Sequence, residues 1–183
     1  MDCKRVRISP KIATVTWLFG IGAAAGWLYE VLLHLIGEGA FVNRGMLHGP
    51  WLPIYGIGCV SISALKKLAE NRPVRYFAIS VAACGVMEYA ASWLMESIYH
   101  TRWWDYSAFP LNLHGRVFLA GLIGFGSAGT LFAYAVLPLL TKGFRRIPPR
   151  VRDRAAILFL LIFAVDALIS LIRPNMGAGI TCF

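Results

Sequence analysis

The sequence predicts an all-α, polytopic membrane protein of five transmembrane helices, the first four forming a two-helix internal repeat and the fifth added to them. Three observations carry that prediction. Of 183 residues, 58% are hydrophobic, and they gather into runs of about twenty, the number of helical residues that crosses a hydrocarbon core of roughly 30 Å. Basic residues collect beside alternate ends of those runs, as expected where positive charge stays on the cytoplasmic face. A pattern of tryptophan, glutamate and histidine recurs 66 positions further along the chain. In lipid the backbone must satisfy its own hydrogen bonds, so each run reads as helix, and residues 1–183 read as a single membrane domain.

The first span, 12–36, follows Lys11 and runs too long for the apolar part of a cleaved signal peptide, so it reads as an uncleaved helix. The second, 51–68, is interrupted near its start by Pro53, Gly56 and Gly58 and closed by Lys66 and Lys67. The third and fourth, 74–98 and 117–140, are unbroken apolar stretches, and the fifth, 155–172, follows a basic segment.

Fourteen of the eighteen basic residues fall in the N-terminal segment, between the second and third spans, or between the fourth and fifth. Only Arg44, Arg102, Arg116 and Arg173 fall on the other side, which predicts a cytoplasmic N-terminus and an external C-terminus. This placement accounts for the net charge of +9 as topology signals and attraction to anionic headgroups, and argues against nucleic-acid binding. Cys3, Cys59, Cys84 and Cys182 have no metal or redox spacing and read as small apolar residues.

The repeat is seen in WLYEVLLH (residues 27–34) against WLMESIYH (93–100), both W-L-x-E-x-x-x-H. At the same offset Leu47-His48-Gly49 matches Leu113-His114-Gly115, and residues 24–61 share twelve identities with 90–127. The units are 12–68 and 74–140, with 155–172 additional. Each holds two spans, so both enter the membrane in the same sense and are related by an axis along its normal.

Ionisable residues within a span are costly and normally face the protein interior or a wet cavity. Glu30, Glu88, Glu96 and Asp166 fall within spans, and Glu38 and Asp105 in external connections. Residues four apart share a helix face, so Glu30 can touch His34 and Glu96 can touch His100. Glu88, Ser92, Glu96 and His100 then form a polar stripe climbing to the external surface. All four external basic residues are arginines, suited to two-pronged contact with carboxylates or phosphates. One reading makes these charges a substrate site. Another makes Glu30 and Glu96 ion-pair partners of Arg44 and Arg116 that fix loops to helix ends. Asp166 reads equally as a helix contact or a functional residue.

His34, His48, His100 and His114 lie near one face but have no standard metal spacing, so no metal and no cofactor is expected. Residues 124–130 mimic the glycine spacing of a phosphate loop, but they lack its lysine and lie in a span. These glycines, like Gly22 and Gly26, read as helix-packing residues. HTRWWDYSAFPLNLHGR, residues 100–116, is a polar and aromatic passage between two apolar runs. Trp103, Trp104, Phe109 and Pro110 favour a docked, rigid path. The passage is expected to fold back as a plug or rim over an outward-facing polar cavity floored by Glu30, Glu88 and Glu96. Trp27, Trp93, Trp103 and Trp104 suit an interfacial aromatic belt.

Three passages, GWLYE (26–30), NRGMLHGPWLPIYG (43–56) and RWWDYS (102–107) with Asn112 and Gly115-Arg116, resemble the bacterial membrane family of ABC-transporter type IV permeases, also called CmpB-like. The resemblance covers about residues 12–140. It implies a permease that moves a small substrate with a separate ATPase subunit in a lipid bilayer; the sequence leaves the oligomeric state open, a homo-oligomer included. His48 and His114 depart from the family pattern. Glu30, Asn43, Arg44, Asp105 and Arg116 are the positions best carried over, and with Glu88, Glu96 and Asn112 they make up the expected substrate-binding set. No nucleotide motif lies in this chain, which argues against an enzyme. The internal connections read as short, basic and poor in helix, which gives an ATPase little to dock on. Two alternatives stand beside transport: an outer-leaflet membrane enzyme or lipid-handling protein, and an accessory subunit without chemistry of its own.

Overall fold

The computed structural model describes residues 8–69, 72–177 and 181–182. Helix α1 (Pro10–Glu38) opens on a proline, whose missing N–H costs nothing in a first turn. It closes on Gly39 in the left-handed conformation, φ 68°. Helices α2 (Pro53–Leu65) and α3 (Pro73–Tyr99) also open on proline. Helix α4 (Leu119–Leu131) passes through a π-helical turn, Phe132–Val136, into α5 (Leu137–Arg146). Helix α6 (Pro149–Ile172) follows after only two residues.

Among the described residues four stretches are long and apolar enough to cross a membrane: α1, α3, the continuous Leu119–Arg146 rod, and α6. Helix α2 falls short. Its 13 residues rise only about 20 Å, because the chain enters the helix at Pro53 and tightens into a 3-10 turn, Lys66–Ala69, at its other end. The expected second span is therefore a shorter helix than the sequence pattern implies.

Pairing follows chain order: α1 packs on α2, α3 on α4, α2 beside α3, and α6 against α1. Glycines bring the first pair close, since a Cβ on Gly26 would enter the Tyr55 ring and one on Gly22 would come within 2.6 Å of Cys59 Sγ. Gly126 and Gly129 play the same part on α4, against Val81 and Ile62, whereas Gly124 faces open space and is not a packing residue.

The π turn has a local cause. Pro138 lacks an N–H, and the Leu137 N–H reaches Phe132 O rather than Ala133 O. The released Ala133 carbonyl accepts Lys66 Nζ at 2.8 Å, and the ammonium also lies 4.7 Å over the Tyr134 ring. A carbonyl left bare in an apolar layer is thus satisfied from the end of α2.

Four short strands depart from the all-α expectation, and they lie outside the helices. β1 (Thr101–Arg102) pairs antiparallel with β4 (Thr181–Cys182), Thr101 opposite Cys182. β2 (Asn112–Leu113) and β3 (Val117–Phe118) form a hairpin turned at His114 and Gly115, both left-handed. The segment 141–154 also differs from expectation, being helical except at Ile147 and Pro148. Its lysines and arginines are good helix formers, so the rods simply run on.

Both long connections on the far side fold back along their helices. Leu52, just before α2, donates its N–H to Ala23 O at 2.9 Å, about 22 Å back from the end of α1 at 1.5 Å per residue.

Candidate functional site

The second connection reaches inward by a similar distance. Tyr106 comes to lie beside the Glu88 carboxylate, three turns, or about 17 Å, back from the end of α3. Trp103, 3% exposed, is driven into the protein and donates its indole N–H to Asn175 O at 3.2 Å. The Trp104 indole N–H goes to Arg116 O at 3.0 Å. These two rings peg the loop to the protein rather than to a lipid belt, while Trp93 remains exposed. Tyr106, Phe109 and Phe118 form one aromatic cluster, Tyr106 edge-on to Phe109 and the other two pairs tilted.

Beneath the loop the charges sort into two groups. In the first, Glu30 of α1 accepts the Tyr55 hydroxyl of α2 at 2.6 Å and lies 3.7 Å from Arg44 Nε. Glu88 joins this group, since the half-buried Tyr106 phenol stands close to both Glu88 and Glu30. Burial, with the two carboxylates beside it, pushes the Tyr106 phenol well above its ordinary range, and Arg44 opposes that shift. Glu88 is 6% exposed and its Oε2 has no hydrogen-bond partner among the described residues.

In the second group Glu96, two turns above Glu88, receives Arg102 Nε at 2.9 Å and Nη2 at 3.3 Å, together with Arg116 Nη2. Arg116, 8% exposed, also donates to Ser92 Oγ at 3.1 Å and stacks over Tyr89. Asp105 lies 3.9 Å from Arg102 and accepts the Ser107 hydroxyl and N–H. Those two hydrogen bonds hold its carboxyl below the usual carboxylate range. Asn112 ties the hairpin internally through Phe109 O and the Gly115 N–H. Asn43 accepts the Trp27 indole N–H at 2.7 Å, and Arg44 donates to Trp103 O, joining the two loops.

The structure therefore brings Glu30 and Glu88 into one cluster but sets Glu96 apart with the arginines. Glu30–Arg44 and Glu96–Arg116 are both present as pairs between helix and loop. The helix contacts expected of the histidines differ. His34 turns to Glu38 at 2.9 Å rather than to Glu30, and His100 meets Glu96 only through the backbone while capping α3 at φ 51°. His48 lies against Ser170, and His114 against Tyr89. Among the described residues no three histidine, cysteine or carboxylate groups gather.

Two contributions lie beyond what the sequence alone indicates. Tyr55 and Tyr106 supply the phenols between the buried carboxylates, and nothing in the sequence separates them from ordinary aromatic packing. Asp166 and Asn175, near and beyond the end of α6, hold the first loop. Asp166 accepts the N–H groups of His48, Gly49 and the Trp51 indole, and Asn175 donates to Asn43 O and Gly45 O. Two cavities lie elsewhere and are apolar: about 280 Å³ between α1 and α6 beside Trp17 and Phe159, and about 590 Å³ between α2 and α3 beside Ile57 and Met87.

This geometry, four membrane-length helices and a charged cluster beneath two inward-folded loops, accompanies a match to the family described as Putative ABC-transporter type IV, over residues 17–171. The chain belongs to that family. No curated protein and no solved structure matches it. As a member of the CmpB-type family it is a transport-related, multi-pass membrane protein.

Proposed function

We propose that this protein is the permease-like subunit of an inner-membrane transporter that moves a small substrate with a separate ATPase. Its polar site faces outward beneath the two loops, its N-terminus is cytoplasmic and its C-terminus external. The observation that carries the reading is Glu88, a buried carboxylate with an unpartnered oxygen directly beneath a loop residue. Structural ion pairs do not require such a group, whereas a site that binds and releases does. The substrate-binding set is Glu30, Asn43, Arg44, Glu88, Glu96, Asp105, Asn112 and Arg116, with Tyr106 as the plug over Glu88.

Five crossings form part of the proposal. Helix α2 starts level with Ala23, within the span of α1, and with its 3-10 turn carries the chain about 28 Å onward to the Lys66 end, so the inward-folded loop and α2 together make the second crossing. The internal repeat draws support from the helix starts: Pro53 of α2 and Leu119 of α4 are 66 residues apart, each after an extended residue without a side-chain cap. The α5–α6 corner, a helix-turn-helix bearing Arg145, Arg146, Arg150 and Arg154, offers an ATPase a rigid basic surface.

The accessory-subunit reading draws on the ion pairs that tie loops to helices. The lipid-handling reading loses ground because Arg102 and Arg116 already hold Glu96. Purification from native membranes with mass spectrometry of bound protein and small molecules tests the proposal. An ATPase that co-purifies in fixed ratio supports it, and a chain that comes out alone, with neither partner nor bound solute, overturns it.

A further inference from the structure

The four buried residues of α3, Tyr76, Ser80, Glu88 and Ser92, each carry a polar atom, although Phe77, Ile79 and Val81 pack on apolar neighbours. Cys84 and Glu96 continue the spacing of four, a column that winds about half-way round the helix while rising about 30 Å, the thickness of a hydrocarbon core. An ordinary packing face would be apolar. Three oxygens on or beside this column are buried without a hydrogen-bond partner among the described residues: Glu88 Oε2, Ser80 Oγ and the Tyr134 hydroxyl. Ser80 is fully buried beside Tyr76, whose hydroxyl donates to Ile62 O at 2.9 Å and keeps its oxygen as the acceptor nearest Ser80. The Tyr134 ring meets Tyr76 edge-on at 5.5 Å and carries Lys66 over its face. Gly129 of α4 packs closely at this level, since a Cβ on it would lie 2.8 Å from Ile62 Cδ1 and in ordinary contact with Ser80 at 3.6 Å.

Charge makes the centre of the column distinctive. Around the site Arg44, Arg102 and Arg116 face Glu30, Glu96 and Asp105, so Glu88 is a fourth carboxylate without a fourth arginine. The groups facing it are Tyr106 and Glu30, with Arg44 and Tyr55 behind them, and Cys84 one turn along, which also faces Cys59 of α2. None of these supplies a further positive charge, so a proton on Glu88 balances the set.

We infer that Glu88 is a proton-binding site in a transmembrane proton path along α3, reached through Tyr106 from the loop end and through Cys84, Ser80 and Tyr134 from the Lys66 end. Hydronium arriving at the carboxylate leaves as water once the carboxylic acid has formed. Release reverses this, with a water molecule on the other side taking the proton, so no other reactant is consumed. The unpartnered Ser80 and Tyr134 hydroxyls are the groups that hold such water between Glu88 and the Lys66 end. This deepens the transport reading by naming protons as a species the site handles, and it rests on that reading only for the loop's role as a movable plug.

The test uses the purified full chain in phosphatidylethanolamine–phosphatidylglycerol vesicles with a pH dye inside and a potassium diffusion potential set by valinomycin. Wild type is expected to acidify the interior faster than protein-free vesicles. Glu88→Gln should fall to the protein-free rate, Ser80→Ala should lose flux several-fold, and Glu88→Asp should retain part of it. Glu38→Gln, outside the column, should match wild type. Infrared titration of the same vesicles should show a protonated carboxyl band that Glu88→Gln removes, a readout independent of transport. Wild-type flux no greater than that of protein-free vesicles, or equal flux and an unchanged band in Glu88→Gln, overturns the inference. Such a failure with an ATPase still co-purifying leaves the transporter reading standing, whereas proton flux from a chain that purifies alone overturns that reading and not this one.

Discussion

The Asp166 carboxylate on α6 accepts the Trp51 indole N–H at 2.6 Å, although 115 residues separate them, and its two oxygens also take the backbone N–H groups of His48 and Gly49. One side chain thus satisfies three donors of a loop that has folded back among the helices. A donor left buried without its acceptor costs about 1–3 kcal/mol. Asp166→Ala should therefore lower the thermal unfolding midpoint of the detergent-solubilised protein more than Trp51→Phe, which removes one donor and leaves two satisfied. Equal midpoints for wild type and Asp166→Ala would show that the first loop is held by packing alone.

Arg116 is the second anchor. It is buried against Ser92 and the Tyr89 ring and pairs with the part-exposed Glu96, so its loss costs less than the roughly 3–5 kcal/mol of breaking a fully buried pair. Arg102 also holds Glu96 and will compensate in part. The expected order of destabilisation is Arg116→Ala, then Arg102→Ala, with Arg116→Ala/Glu96→Gln recovering stability relative to Arg116→Ala. Recovery distinguishes an uncompensated charge from lost packing, because packing would not return.

Much of this arrangement is legible in the sequence because it is local or periodic. Apolar runs give the long helices, spacing of four gives the α3 stripe, and glycines at 22 and 26 mark the close approach of α1 and α2. The pairing of Glu30 with Arg44 and of Glu96 with Arg116 is one of two readings the sequence allows, since charge type and proximity to the same helix end constrain it. What cannot be read there depends on distant chain segments meeting. Asp166 finds its donors only after α6 docks, Tyr106 is one aromatic residue among several until the loop turns inward, and His34 prefers Glu38 because α1 continues a full turn past it. The length of α2 departs from expectation for a different reason: hydropathy does not register where a loop returns to the level of Ala23 before helix begins.

Close helix approach gives a third prediction. A methyl group on Gly26 would enter the Tyr55 ring and push its hydroxyl away from Glu30. Overpacking of this kind costs about 1–3 kcal/mol. At Gly124 nothing lies within 4 Å of the place a Cβ would occupy, so Gly124→Ala should be neutral or slightly stabilising, by about 0.5–1 kcal/mol. Comparing the two variants by thermal aggregation checks the contrast, and a Gly26→Ala variant as stable as Gly124→Ala would mean that α1 and α2 slide apart at little cost.

The loop should also respond to acid in a predictable direction. The Ser107 hydroxyl and N–H favour the charged form of Asp105, so its pKa in the folded protein lies below the ordinary value of 3.8. Its contribution is present above that value and is lost as pH falls through the depressed folded pKa. The protection factor of the Ser107 amide, its exchange rate relative to an unstructured amide at the same pH, should therefore stay high down to mildly acidic pH and fall only below the ordinary carboxylate range. Asp105→Asn, which cannot ionise, should remove that acid-dependent loss of protection. Loss of protection near neutral pH would assign the transition to another group.

Membrane orientation gives the last prediction, and the structure sharpens where to probe. Arg44 is half-buried and Arg116 buried, so cysteines there would report packing rather than sidedness. Phe109 at the hairpin is exposed, and so is Arg150 at the α5–α6 corner. With fourteen of eighteen basic residues beside one set of helix ends, the positive-inside tendency places residue 150 in the cytoplasm and residue 109 outside. A membrane-impermeant maleimide added to intact cells should label Phe109→Cys and spare Arg150→Cys until the membrane is permeabilised. The reverse pattern would invert the molecule, set the Tyr106 plug on the cytoplasmic side, and turn the Lys66 end of the α3 column toward the exterior.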